Sequence, residues 1–176
     1  YLCRGIRLYV YFPDLLRGRL AATLRLSVLH NFANNLLPMR AGEMVFPWLM
    51  GRYFGQGFGR ALASLIWIRL LDLHFLGLIG LLVLQLRAPS VVWPIAGLLW
   101  VALVPFLGRL AGLLPAPPGG RLERLRATLI GSAPGSGAIL VRVYAWTALS
   151  WGTKFVAFAL VLSHFLPLEL WQVLIG

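Results

Sequence analysis

The chain has 176 residues, of which 60% are hydrophobic and only 12% are charged. Soluble domains carry about 25% charged residues, so this composition excludes a soluble domain and predicts an all-α polytopic membrane helix bundle, a single domain over residues 1–176. Lysine and arginine outnumber aspartate and glutamate by 16 to 5, and in so apolar a chain this excess indicates membrane orientation and anionic lipid, not nucleic acid.

The first residues are apolar and basic. Arg4 and Arg7 flank an apolar stretch that is already under way at the first residue, and further arginines follow it. We interpret residues 1–25 as the end of a preceding helix followed by a basic cytoplasmic segment. Residues 168–176 resemble the start of another apolar segment, so we expect the 176 residues to be a fragment from the middle of a longer chain.

Residues 26–51 combine two apolar arms with a polar interruption. The arms, 26–37 and 44–50, are each too short to cross a hydrocarbon core of about 30 Å. Basic residues place both ends of the segment on the cytoplasmic side. The segment therefore predicts a re-entrant helical hairpin whose tip reaches the bilayer midplane.

The tip of this hairpin is polar and breaks the helix. Its informative residues are Asn34, Asn35, Pro38, Arg40, Gly42 and Glu43. A charge at the bilayer centre costs at least about 2.5 to 3.5 kcal/mol. We therefore expect Arg40 and Glu43 either to pair with other residues or to have a function. If Ala41 or Gly42 begins the returning arm, its free N–H groups would form an anion site beside Arg40. The tip thus predicts a polar cavity.

Three later stretches are long enough to cross the bilayer as helices. They are residues 61–86, 91–107 and 143–166. Between the last two, the leucines of residues 121–130 share one helical face that the arginines avoid, which predicts an interfacial amphipathic helix. Arginine placement puts 52–60 and 109–137 in the cytoplasm.

The predicted spans contain charges at mid-depth. Arg69 and Asp72 are spaced i, i+3 and share one helix face, and Thr147, Ser150 and Lys154 form a polar stripe. With the two charged residues of the hairpin tip, the set has three positive charges and two negative ones, a surplus that suits one phosphate group. Such charges can also serve only to hold helices together, and the sequence leaves both interpretations open.

Two ordered motifs carry a family resemblance. The sequence NNLLPMRAGE at 34–43 is followed by LMGR at 49–52 and RLLDL at 69–73. This order resembles the flippase-like membrane domain of lysylphosphatidylglycerol synthases and of stand-alone relatives that lack the soluble synthase domain. Members often have an acidic residue before the arginine of the second motif, where this chain has Ile68. This departure makes Glu43 or Asp72 more important as a partner of Arg69.

The resemblance implies a multi-pass protein of the bacterial inner membrane that moves lipids between leaflets. We therefore expect an integral membrane lipid translocase that handles an anionic phospholipid or a lipid-linked sugar phosphate. The predicted substrate-binding residues are Asn34, Asn35, Arg40, Gly42, Glu43, Arg69, Asp72 and Lys154. Because no catalytic triad, P-loop or metal-ligand spacing occurs, we expect no enzyme activity, cofactor or metal. The alternative is a non-transporting membrane partner or scaffold for a glycosyltransferase or a lipid-modifying synthase.

Overall fold

The structure, a computed structural model, describes residues 2–106 and 119–165, with the backbone alone for 39–41. In these ranges all regular secondary structure is helical, which confirms the all-α prediction. The elements are α1 (Leu2–Tyr11), α2 (Pro13–Leu16), α3 (Leu20–Leu36), a 3₁₀ helix (Pro38–Met44), α4 (Val45–Phe54), α5 (Phe58–Arg87), α6 (Val92–Ala102), a second 3₁₀ helix (Val104–Phe106), α7 (Arg121–Gly131) and α8 (Gly137–Phe165).

Two helices are long and apolar enough to cross a membrane. They are α5, with 30 residues, and α8, with 29 residues. At about 1.5 Å per residue, each is roughly 44 Å long. The predicted span 61–86 lies within α5, and the described part of the predicted span 143–166 lies within α8. Helix α8 begins before residue 143 because the Ser136 side chain accepts the N–H of Ile139 and so caps the first turn.

The predicted second span, 91–107, differs from the observed helix. Helix α6 ends at Ala102, and its 11 residues cover about 17 Å, less than the core of a bilayer. The α-helix does not continue through Pro105, which lacks an N–H and whose ring opposes the preceding turn. Residue 107 lies outside the described residues.

Helix α1 packs against both α3 and α8 and runs antiparallel to each. Near its end, the Tyr11 hydroxyl donates to the carbonyl of Ser132, just before α8, at 2.5 Å. Gly5, near its start, allows close approach, since a Cβ there would lie 2.5 Å from a side-chain carbon of Leu24. This packing carries the N-terminal arginines into the middle of the bundle.

Where the sequence predicted a re-entrant hairpin, the structure has two helices joined by a 3₁₀ helix. The re-entrant path through a bilayer stays a prediction. Helix α3 begins at Leu20, earlier than the predicted arm, which starts only after the basic residues. Arg25 lies inside the helix, because arginine is compatible with a helical backbone. The returning α-helix begins at Val45, not at Ala41 or Gly42, because Pro38–Met44 forms a 3₁₀ helix that continues into it. The condition for an anion site beside Arg40, a helix start at Ala41 or Gly42, is therefore not met.

A tight turn connects α4 to α5. Gly55 has a φ of 69°, and its N–H bonds to Gly51 while the N–H of Gln56 bonds to Met50. The bond from Gly55 to Gly51 is the 5→1 bond of an αL cap, which favours glycine at the left-handed position. The turn sends α5 back along α4, so that Glu43, just before α4, meets the middle of α5.

Candidate functional site

A buried ion pair joins α1 to α5. The Arg7 guanidinium contacts the Asp72 carboxylate through two nitrogens, with Nη1 at 2.5 Å from Oδ1 and Nη2 at 3.4 Å from Oδ2. The exposed fraction is 6% for Arg7 and 8% for Asp72. Nη1 of Arg7 also donates to the Thr147 hydroxyl at 3.0 Å. Two parallel N–H···O bonds make this the stronger geometry for an arginine–carboxylate pair.

Asp72 is the centre of this network because it accepts from three side chains. In addition to Arg7, the indole N–H of Trp151 donates to Oδ1 at 3.1 Å, and Nη1 of Arg69 lies 3.5 Å from Oδ2. A buried charged group is stabilised by a counter-charge and by hydrogen bonds. Asp72 has both, and it thereby ties α1, α5 and α8 together.

A second ion pair connects this centre to the hairpin. Nη2 of Arg69 lies 2.7 Å from Oε1 of Glu43. The side chains of this pair are 40% and 29% exposed, against 7% and 11% for Arg7 and Asp72. The outer pair is therefore more accessible than the inner one.

The charged network lies halfway along both candidate spans. At about 1.5 Å per residue, Asp72 is roughly 21 Å from the first residue of α5, and Trp151 is the same distance from the first residue of α8. Each helix is about twice that length. If α5 and α8 both cross a bilayer, this is the level at which unpaired charges are most costly.

A polar cavity of about 330 Å³ opens beside the network. It is lined by Cys3, Arg4, Asn31, Asn35, Ser150, Thr153 and Lys154. This lining, taken over the described residues, contains two cations and no carboxylate. Arg4 donates to Oδ1 of Asn31, and the Lys154 ammonium sits over the Trp151 ring, 3.8 Å from its centroid. Trp151 therefore contacts both the network and the cavity.

The predicted substrate-binding residues divide between these two features. Glu43, Arg69 and Asp72 lie in the ion-pair network, whereas Asn35 and Lys154 line the cavity. Within the described part of the chain, no group of three or more histidine, cysteine, aspartate or glutamate side chains could hold a metal ion.

The other predicted residues lie elsewhere. Nδ2 of Asn34 lies 3.1 Å from Nε2 of His30, inside α3. Gly42 is buried, and a Cβ at this position would overlap backbone atoms of Ala33 and Asn34. It is therefore a packing contact between the 3₁₀ helix and α3. The side chain of Arg40 lies outside the described residues, and its role stays a prediction.

Sequence reasoning missed Arg4, Arg7 and Trp151 as members of the site. The two arginines were interpreted as a helix flank, although their i, i+3 spacing inside an apolar stretch was a signal for a shared buried face. Trp151 was not singled out, because a tryptophan in an apolar helix is typical of packing or of the membrane interface. Its indole N–H donates to Asp72, a contact that only the three-dimensional structure reveals.

Comparison with known proteins gives one finding. A family model described as the lysylphosphatidylglycerol synthase TM region matches residues 4–173, nearly the whole chain. No curated protein and no solved structure gives a significant match. The resemblance inferred from residues 34–73 is confirmed, and the matched region includes the network and every residue of the cavity lining except Cys3.

Proposed function

The chain belongs to the family of the lysylphosphatidylglycerol synthase TM region, membrane proteins of lipid-related function, and we therefore propose that it translocates anionic lipids between leaflets. In this proposal, the headgroup phosphate enters the cavity lined by Arg4 and Lys154, and the acyl chains remain in the bilayer. The protein moves the lipid without making or breaking covalent bonds.

The observation that carries this proposal is the positive charge of the cavity. Across the network and the cavity, four cations face two carboxylates among the described side chains: Arg4, Arg7, Arg69 and Lys154 against Glu43 and Asp72. Excess positive charge at this depth is unfavourable in an empty site. An anionic headgroup would neutralise it, and the amide and hydroxyl groups of the lining can donate to phosphate oxygens.

The contacts of Lys154 suggest how the empty site remains stable. Its ammonium lies on the face of Trp151, an interaction worth about 2 kcal/mol when desolvated. The cation is thus held by a neutral ring, which a phosphate can displace. The bidentate Arg7–Asp72 pair, by contrast, would stay closed and keep the helices in place while the half-exposed Glu43–Arg69 pair opens to the ligand.

Substitution of Lys154 or Arg4 by glutamine is expected to slow lipid translocation at least about ten-fold, because a hydrogen bond to a charged group contributes about 1.5 to 3 kcal/mol. The measurement is the rate at which fluorescent phosphatidylglycerol becomes accessible to a membrane-impermeant quencher in proteoliposomes. Arg60→Gln is the matched control, since it removes one exposed cation outside the cavity. In the same assay, Arg40→Ala tests the prediction made for the hairpin tip.

Equal rates for the parent, Lys154→Gln and Arg4→Gln would refute the proposed site. If the parent itself moved lipid no faster than protein-free liposomes, translocation would be refuted as well. The alternative, a membrane partner of a glycosyltransferase or a synthase, would then be favoured if the charge substitutions changed complex assembly but left lipid asymmetry unchanged.

A further inference from the structure

A second cleft lies between α5 and α7, away from the ion-pair network. Its volume is about 350 Å³, within the range of small-molecule sites. The α5 wall is apolar and includes Leu62 and Ile66, and the α7 wall carries Arg121, Arg124 and Leu125. None of its lining residues also lines the cavity of Arg4 and Lys154.

Hydrogen bonds anchor the C-terminal end of α7 beside the cleft. The indole N–H of Trp67, on α5, donates to the carbonyl of Leu129, on α7, at 2.8 Å. Just beyond α7, the carbonyl of Ser132 accepts from Tyr11. These bonds fix the C-terminal end of α7 against the bundle, and the two arginines lie toward its other end.

The charged residues that line this cleft, among those described, are both positive. Arg121 and Arg124 are one helical turn apart, and no carboxylate lines the cleft among the described residues. The carboxylate nearest in sequence, Glu123, accepts a hydrogen bond from the N–H of Gly119 and is not part of the lining. An apolar wall with two cations at one end fits a ligand that has both an anionic group and a hydrocarbon chain.

The position of the cleft favours a lipid as that ligand. Its α5 wall belongs to the first turns of a helix long and apolar enough to cross a membrane. Nearby leucines on α7, Leu122 and Leu125, are 57% and 59% exposed. The arginine pattern of the sequence puts this end of α5 and α7 on the same side of the membrane, where basic residues meet anionic headgroups.

We propose that the α5–α7 cleft binds one anionic glycerophospholipid, with its phosphate between Arg121 and Arg124 and one acyl chain along Leu62, Ile66 and Leu125. The site is separate from the translocation cavity and holds a resident lipid that fixes α7 against α5. It does not depend on the translocase proposal.

Native mass spectrometry of the purified full chain with added phosphatidylglycerol tests this site. We expect Arg124→Gln to weaken binding of the lipid about ten-fold through loss of a charge-assisted contact. Arg126→Gln, which removes the same charge from the same helix outside the cleft lining, should bind like the parent. Gly59→Leu should also weaken binding, because a Cβ at Gly59 meets no atom within 4 Å and the new side chain would fill the cleft without disturbing the fold.

The same titrations in a Lys154→Gln background reduce the contribution of the other cavity to binding. In that background, Arg124→Gln and Gly59→Leu should still weaken the binding of phosphatidylglycerol. Phosphatidylcholine should bind less tightly than phosphatidylglycerol in every variant that keeps both cleft arginines. Equal losses for Arg124→Gln and Arg126→Gln would show that binding follows surface charge alone and would overturn the proposal. Unchanged binding by Gly59→Leu would also overturn it, as would losses that vanish in the Lys154→Gln background.

Discussion

Replacement of Arg7 by methionine is expected to lower the free energy of unfolding by about 3 kcal/mol, because it leaves the buried Asp72 carboxylate without its main partner. Methionine fills a similar volume, so the effect comes from the lost charge. Arg69, at 3.5 Å, and Trp151 still contact the carboxylate, which keeps the loss at the lower end of the range of about 3 to 5 kcal/mol for broken buried pairs. The measurement is the unfolding midpoint in detergent micelles.

The double variant Arg7→Met/Asp72→Leu is the control. Removing both charges eliminates the unpaired carboxylate, and apolar replacement of a whole buried pair is often neutral. The double variant should therefore be more stable than Arg7→Met alone, giving a large interaction energy in the mutant cycle. Additive losses, or full stability of Arg7→Met, would contradict the pairing. If the double variant folds, its translocation rate will also show whether the pair serves function or only structure.

The sequence predicted that Asp72 needs a partner, but it could not identify that partner. Arg69 is close in sequence and on the same face, and it does contact Asp72, at 3.5 Å. The shorter contact comes from Arg7, 65 positions away. Only the antiparallel packing of α1 along α8 brings that arginine to mid-depth, and this packing depends on side-chain fit that hydropathy does not encode.

Residues 26–51 were likewise predictable only in part. Their two apolar arms and their polar connection follow from the pattern of the sequence. The backbone of the connection did not follow, since proline and glycine are compatible with a break, a turn or a 3₁₀ helix. The observed 3₁₀ helix moves the start of α4 to Val45 and directs Glu43 toward Arg69. From Ile68, the sequence pointed to Glu43 or Asp72 as the partner of Arg69, and the structure shows Arg69 in contact with both.

The Gly42→Ala substitution is expected to destabilise the protein by about 2 kcal/mol or more, the upper part of the range for overpacking. A Cβ at this position overlaps backbone atoms of Ala33 and Asn34, and a backbone inside α3 cannot move aside as a flexible side chain can. The 3₁₀ helix must therefore shift away from α3, and the neighbouring Glu43 shifts with it.

The controls for Gly42→Ala are Gly80→Ala and Gly152→Ala, in the interiors of α5 and α8. A Cβ at either site meets no atom within 4 Å, so alanine should leave stability unchanged or raise it by up to about 1 kcal/mol through its better helix propensity. A Gly42→Ala protein as stable as these controls would refute the close contact. If Gly42→Ala is unstable but Glu43→Gln is not, the glycine acts through helix packing. The ion pair that it positions would then be free to open during the proposed movement of lipid.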